Sequence, residues 1–380
     1  MTARSFVVVT SSFPIRGDGS EAAGSFVADL AQALANEIPL RVVAPGVATQ
    51  RERWSDRIEV LRYAAPPFPL STLKPWHPYH LNWIRRVMAG GQAGTRAAVG
   101  AGAAHVLALW GLPCGEWARS AAREAGIGYS TWLLGSDVWS LGRLPVLRTL
   151  LARVIRQSAQ VYADGYRLAD EACRIGGRAV EFLPSTRAIG SADSSMPRAN
   201  PPYRLLFLGR WHANKGVDLL LDALAQLTAD DWRRIERVEV QGGGPMDGLV
   251  RARTEALRAA GHPVEIGGFL DKTEAEAALA RADWVLLPSR IESIPVVFSD
   301  AMKSGRPVVA TPVGDLPVLF AHSPFGVLAA DAEASAFARA LQSALALNPA
   351  ACAPGIRHHA AGFDLTAIAR RILQKAFDDG

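Results

Sequence analysis

Residues 284–310 read WVLLPSRIESIPVVFSDAMKSGRPVVA. Trp284 to Leu287 form a short apolar run, Pro288 and Ser289 break it, a helical stretch runs through Asp300 to Met302, and a second apolar run follows at Pro307 to Ala310. Strand, helix and strand at this spacing make one βαβ unit, whose two strands lie parallel. Upstream, residues 203–216 read YRLLFLGRWHANKG, another strand whose carboxyl end delivers Gly209 and Arg210. Lys215 follows at the start of a helix that carries Val217, Leu220, Leu221, Leu224 and Leu227 on one face. Further strands are expected at Val238 to Gln241 and Val264 to Ile266.

The same alternation fills the first half. Ser5 to Thr10 is a strand, Phe26, Val27, Leu30, Ala31 and Leu34 recur at helical spacing, and Leu40 to Ala44 is the next strand. More strands are expected at Ile58 to Tyr63, His105 to Leu109, Gly128 to Leu134, Gln160 to Ala163 and Ala179 to Leu183. Alternating β and α elements predict an α/β protein with parallel sheets covered on both faces. Between Ser185 and Pro202 (STRAIGSADSSMPRANPP) the periodicity lapses into Ser, Pro and Ala, as linkers do. The expected organisation is therefore a first domain over residues 1–187, a linker over 188–202 and a second domain over 203–364. A last amphipathic helix, about residues 365–380, is free to pack back onto the first domain.

A chain of 380 residues, 49% hydrophobic, has material for two cores. Three scattered cysteines (Cys114, Cys173, Cys352) offer no disulfide framework and no C-x-x-C pair, which fits a reducing cytoplasm. Met1 to Thr10 has no basic leader or cleavage site. Ala97 to Gly115 is apolar over nearly a bilayer's length, but its glycines and Pro113 read as helix end, buried strand and turn. The net charge of +5 is uneven: residues 1–187 hold 21 Lys/Arg and 14 Asp/Glu, giving +7, and the remainder gives −2. A basic first half is compatible with an anionic partner, including peripheral attachment to the inner face of a membrane, and equally with a solvated arginine-rich surface. Trp76, Trp83, Arg85 and Arg86 lie close together in sequence and hint at a membrane-borne acceptor.

The chemistry converges at strand ends. Arg210 and Lys215 flank a helix N-terminus, where backbone N–H groups and the helix dipole already favour negative charge, so together they can neutralise a diphosphate. Glu292 and Asp300 straddle the next helix start and can accept hydrogen bonds from ligand hydroxyls. In the first half, Ser11-Ser12-Phe13-Pro14, a polar loop and Gly24-Ser25 join strand to helix; Gly24 and Ser25 fit a plain turn or a ligand contact. Asp137, in Gly135-Ser136-Asp137 after a strand, fits either a helix cap or a site carboxylate. Arg187 is available as an anion contact. The histidines have no metal-ligand spacing and there is no D-x-D, so no metal is expected; no G-x-G-x-x-G follows either first strand, which argues against a dinucleotide cofactor. No nucleic-acid partner is implied.

These residues resemble the GT4 glycosyltransferases of the GT-B fold. The likeness rests on Gly209-Arg210, Lys215-Gly216, Pro288-Ser289, Glu292, Asp300-Ala301-Met302, Gly305, Pro307-Val308-Val309, Thr311 and Gly314. The resemblance implies two Rossmann-like domains facing a cleft, and metal-independent transfer, with retention, from a nucleoside-diphosphate sugar, UDP- or GDP-linked, to a hydroxyl acceptor. The acceptor would be a sugar, a lipid-linked molecule or a small molecule, in polysaccharide or other glycoconjugate synthesis, and no cofactor is implied. Arg210 and Lys215 would hold the donor diphosphate, Glu292 the transferred sugar, and Asp300 the ribose. Gly209, Gly268, Phe269, Ser293 and Ile294 would line the donor site, with Phe269 along the base. Glu292, Arg210, Lys215 and Asp137 would form the catalytic set, and Gly24 and Ser25 would touch donor phosphate or acceptor. The chain departs from the family pattern at Leu134, where a histidine is usual, at Asp300, usually glutamate, and at Pro295, usually glycine. Those departures leave open a GT-B subunit that binds a sugar nucleotide with little or no turnover.

Overall fold

The first apolar run, Ser5–Val9 (β1), is buried along its whole length because it lies in the middle of a sheet. The computed structural model describes residues 5–16, 24–67, 73, 76–190 and 196–378. Among these, β1 is joined by Leu40–Gly46 (β2), Gln50–Ser55 (β3), Ile58–Ala64 (β4), Ala103–Leu109 (β5), Gly128–Leu133 (β6), Val161–Ala163 (β7) and Glu181–Phe182 (β8). Their order is β3-β4-β2-β1-β5-β6-β7-β8, parallel throughout except for β3 against β4. β3 is the strand that the sequence pattern did not reveal. Its residues, QRERWS, are polar and half-exposed because it is an edge strand returning in a hairpin, and charge on an edge discourages pairing with other chains.

Helices Pro78–Gly100, Glu116–Ala125, Pro145–Gln157 and Tyr166–Gly176 follow β4, β5, β6 and β7, and each packs against the next along one face of the sheet. Right-handed crossovers running one way along a parallel sheet place their helices on one face. The connection from β1 to β2 runs the other way, so helix Ser25–Glu37 takes the opposite face. There it packs against the last helix, Leu365–Asp378, which carries an Arg370–Glu37 ion pair at 2.9 Å. The apolar stretch at 97–115 is a helix end at Gly100, strand β5 and a turn, as its glycines suggested, and no described helix is long and apolar enough to cross a membrane.

The chain divides into two compact units, Met1–Ser185 with Leu365–Gly380, and Thr186–Asp364. The second contains Tyr203–Arg210 (β9), Ile235–Gly243 (β10), Val264–Gly267 (β11), Trp284–Leu287 (β12), Val308–Ala310 (β13) and Gly326–Leu328 (β14), all parallel, in the order β11-β10-β9-β12-β13-β14. The strand sequence reverses direction between β9 and β12. In open α/β sheets that switch point opens a crevice outside the carboxyl ends of the two strands, where ligands bind.

The stretch expected to be a linker is, where described, fastened to this second unit. Gly190 N donates to Glu276 Oε1 at 3.2 Å and Arg198 N to Asp283 Oδ1 at 2.9 Å; residues 191–195 of the stretch lie outside the described ones. Asp283 is fully buried at the foot of β12 and also accepts from Arg204 N, Nε and Nη2 at 2.9–3.0 Å. Burial alone would raise its pKa, but these donors hold the carboxyl below its ordinary range. A segment low in apolar residues is thus held by backbone N–H groups that find carboxylates, one of them buried, which periodicity does not report.

Helix Val296–Lys303 is seated through Phe298, whose ring meets Phe325 at 4.7 Å, Phe363 at 5.8 Å and His359 at 6.0 Å. His359 is buried and donates from Nε2 to Ser323 O at 2.8 Å. Burial, and to a lesser degree the neighbouring His358 and His322, push its pKa below the ordinary value. A depressed histidine pKa means that the native state prefers the neutral ring, so the stability it confers is lost as pH falls below about 6.5. Urea denaturation of wild type across pH 5–7.5 is expected to show this loss, and His359→Gln, which still can donate to Ser323 O, is expected to flatten it.

Candidate active site

At the carboxyl end of β9 the strand runs on beyond the sheet's middle, because Gly209 and Arg210 pair in register with Gly242 and Gly243 of β10. Trp211 is buried, and its backbone N–H donates to Gly243 O at 2.8 Å. With its neighbours on both sides fixed, Arg210 stands exposed at the strand end, and its guanidinium makes no ion pair among the described residues. Beside it lies Phe269, 64% exposed, whose ring sits against Gly243; a Cβ there would come within 2.8 Å of it. Gly268 has open space around it.

Lys215 closes a short turn, Ala213–Lys215, and Gly216 then opens helix Val217–Leu224 with φ +67°. A Cβ on Gly216 would fall 1.8 Å from Pro288 O, so only glycine lets this turn lie against the end of β12. Gly314 does the same from the other side. With φ +56° its Cβ would lie 2.1 Å from Ser293 O and 2.4 Å from Glu292 O, and Asp315 N donates to Ser293 O at 3.1 Å. Arg290 closes the frame: its N–H reaches Asn214 O at 2.8 Å and its guanidinium grips both oxygens of Asp218 at 2.8 and 2.9 Å. Burial works against ionisation of Asp218, but the Arg290 bonds and charge leave its pKa lowered.

Held this way, Glu292 meets Lys215 in an ion pair across the β9–β12 switch point. The Glu292 side chain is mostly buried and that of Lys215 about a third exposed. Glu292 is followed by Ser293 and Ile294, both buried, and Ser293 Oγ has no hydrogen-bond partner among the described residues. Helix Val296–Lys303 starts at Pro295 with no side-chain cap, so its first N–H groups face this loop unclaimed by a side chain. The sequence-predicted Arg210, Lys215, Glu292, Ser293 and Phe269 therefore gather on one rim.

Asp300 does not join them. It was expected to take ribose hydroxyls, yet its side chain is fully buried and its Oδ2 accepts from Arg187 Nη2. Around that pair, Thr186 Oγ1 meets Ser299 Oγ at 3.1 Å, and Lys303 Nζ bonds Thr186 Oγ1 and Arg187 O. With one methylene fewer than glutamate, the carboxylate stays inside this contact and pins residues 186–187 to the helix. Arg187, read as an anion contact, spends its charge there.

In the first unit, Gly24 (φ +85°) caps helix Ser25–Glu37, and a Cβ would stand 2.6 Å from Ser12 Oγ, which accounts for the glycine by turn packing. Ser25 is the helix's first residue; the polar loop before it, residues 17–23, lies outside the described residues. Arg62 was missed by the sequence reading and has no motif to betray it. It is buried, ion-paired to Glu52 at 2.7 Å, and donates to Pro14 O at 2.7 Å and Phe13 O at 3.2 Å, clamping the Phe13-Pro14 turn.

Asp137, expected as a site carboxylate or a helix cap, is held by backbone N–H groups of two turns. Its side chain is fully buried, with Oδ2 accepting from Gly111 N at 2.6 Å and Oδ1 from Gly135 N at 3.0 Å and Val138 N at 3.1 Å. Burial raises its pKa against the opposing pull of those N–H groups, and it in turn helps keep the buried Cys114 thiol protonated. The carboxylate is closed to solvent.

Residues 202–346, which hold the whole β9–β12 rim, match the family model described as glycosyl transferases group 1. Over those residues the second unit is similar to the group 1 glycosyl transferases. Curated relatives of the chain include D-inositol 3-phosphate glycosyltransferases from Jonesia denitrificans (36% identical, covering 37% of this chain and 34% of the relative) and Catenulispora acidiphila (31% identical, covering 50% and 47%). The chain spans half or less of the length of these relatives. Solved structures similar over nearly the full chain include sucrose-phosphate synthase from Thermosynechococcus elongatus (TM-score 0.71, 20% identity, 98% of each chain). HepE from Anabaena in complex with UDP-glucose aligns with a TM-score of 0.67 at 16% identity, over 97% of this chain and 98% of that one. The fold is GT-B, two α/β units with parallel sheets, as expected.

Proposed function

We propose that the chain is a retaining, metal-independent glycosyltransferase that moves a sugar from a nucleoside-diphosphate donor to a hydroxyl acceptor. The observation that carries this reading is the Lys215–Glu292 pair at the β9–β12 switch point, with the exposed Arg210 on the same rim. Arg210 and Lys215 take the diphosphate, whose charge grows as it leaves; fixed cations and free helix N–H groups are suited to that electrostatic task. The Val296 helix N-terminus and the unpartnered Ser293 hydroxyl supply donors to phosphate or sugar oxygens. Glu292 accepts from the sugar hydroxyls, and the Phe269 ring lies along the base. The acceptor hydroxyl attacks on the leaving-group side, giving its proton to the departing diphosphate while its oxygen takes the anomeric carbon. The UDP-glucose complex of HepE supports a nucleotide-sugar donor, and the curated relatives' name, D-inositol 3-phosphate glycosyltransferase, supports transfer to a small hydroxyl compound.

A thermal-shift screen of UDP-, GDP- and ADP-sugars tests this directly. At least one is expected to raise the midpoint in wild type, and Arg210→Ala is expected to abolish that rise without lowering the basal midpoint. If none binds, or if Arg210→Ala responds as wild type, the assignment fails. Release of nucleoside diphosphate on adding acceptor then separates an enzyme from a subunit that only binds.

A further inference from the structure

The first unit carries an aromatic and basic rim that the donor site does not use. From Val60 to Gly115 the sequence contains no Asp or Glu, and from Val138 to Ala163 again none, although Arg85, Arg86, Arg96, Arg143, Arg148, Arg153 and Arg156 fall within these stretches. The structure brings parts of the two stretches to one edge. Helix Pro78–Gly100 follows β4 and helix Pro145–Gln157 follows β6, so both begin at the carboxyl end of the parallel strands. They flank helix Glu116–Ala125, packing on either side of it along one face of the sheet.

At that edge the side chains that soluble surfaces usually bury are outside. Trp76 is 80% exposed, Val146 74%, Leu144 54% and Tyr79 53%. Tyr79 meets Trp83 edge-on at 6.5 Å, and the Arg86 guanidinium lies over the Trp83 ring at 5.5 Å. Arg85, Arg86 and Arg143 are exposed and make no ion pair with a carboxylate among the described residues. Amphipathic aromatic rings, bare aliphatic side chains and unpaired arginines at one helix edge match the boundary of an anionic bilayer, where the rings and aliphatics enter the headgroup–acyl zone and the cations meet phosphate. Nucleic acid would satisfy the arginines and stack the rings, but it offers nothing to Leu144 and Val146.

We infer that this edge, running from Trp76 to Arg86 at the start of helix Pro78–Gly100 and from Arg143 to Val146 at the start of helix Pro145–Gln157, is a docking surface for an anionic lipid bilayer. Binding there is peripheral and reversible, with each arginine contributing roughly a fivefold gain in partitioning. The surface is independent of the donor reading, because it is assayed without turnover.

The full chain is to be sedimented with vesicles of phosphatidylcholine alone and of phosphatidylcholine mixed with phosphatidylglycerol, at low and high salt. Wild type is expected to pellet with the mixed vesicles, to leave the neutral ones in solution-phase excess, and to weaken as salt rises. Arg85→Glu/Arg86→Glu is expected to lower partitioning at low salt by at least about tenfold. Trp76→Ser/Val146→Ser is expected to keep the salt dependence while losing the binding that survives high salt. Each variant's thermal midpoint is checked against wild type, so that a misfolded protein is not scored; Tyr79→Ser and Leu144→Ser replace any that fail. Equal binding to both vesicle types, no binding to either, or variants that partition as wild type would overturn the inference. So would tighter binding to a single-stranded oligonucleotide that Val146→Ser leaves unchanged.

Discussion

Glu292→Gln is expected to lower kcat/KM for sugar transfer by about a hundred- to a thousandfold, the usual cost of removing one preorganised polar contact to a transition state. Its effect on stability should be small. The Lys215–Glu292 pair is partly exposed on the lysine side, and such ion pairs contribute about 0–1 kcal/mol. Lys215→Ala is expected to fail differently: it removes a cation from the diphosphate, so nucleoside-diphosphate affinity falls together with kcat, whereas Glu292→Gln should leave affinity for the free diphosphate near wild type. Calorimetric titration of UDP or GDP into each variant reads that split. The double variant should cost less than the two single losses combined, since each residue is already the other's partner. Equal loss of diphosphate affinity in both variants would place Glu292 on the phosphate rather than on the sugar.

That pair also shows which part of the site could be read from sequence. Arg210, Lys215 and Glu292 each sit at a strand end or helix start, positions that alternation of apolar runs locates well. That Lys215 and Glu292 touch depends on β9 and β12 being neighbours, through Trp284 beside Leu205 and Val285 beside Leu206, which no local pattern encodes. Gly216 and Gly314 were legible as motif glycines, but their reason is tertiary: each admits a carbonyl from a segment distant in sequence. Asp300 shows a related dependence on tertiary contacts. A carboxylate on the second turn of a site helix looks available until Arg187, arriving from the segment before β9, occupies it. Among the strands, the longer apolar ones were found, whereas the polar edge β3 and the three-residue edge β14 were not, because periodicity detects a buried face of some length and neither has one. Arg62 illustrates the same limit, since a buried arginine satisfied by backbone carbonyls leaves no signature in composition or spacing.

Asp137→Asn should separate a catalytic carboxylate from a capping one. The asparagine oxygen can still accept from Gly135 N and Val138 N, but its amide nitrogen would replace Oδ2 and face Gly111 N, donor against donor. One buried N–H left without an acceptor costs about 1–3 kcal/mol, and Asp137→Ala, which strands all three, should cost correspondingly more. Urea denaturation of the full chain is expected to show these losses in that order. Below its unfolding midpoint, Asp137→Asn should keep nucleoside-diphosphate affinity, because the donor residues lie in the second unit, and should keep turnover within about tenfold, since losing one neutral contact away from the reacting atoms removes little transition-state binding. The opposite pattern, an unchanged midpoint with turnover lost by about a thousandfold or more, is what a general base or sugar-binding carboxylate would give. The three N–H bonds and the burial predict the first pattern: a carboxylate held by backbone donors and sealed from solvent between the turns that follow β5 and β6 fixes those turns.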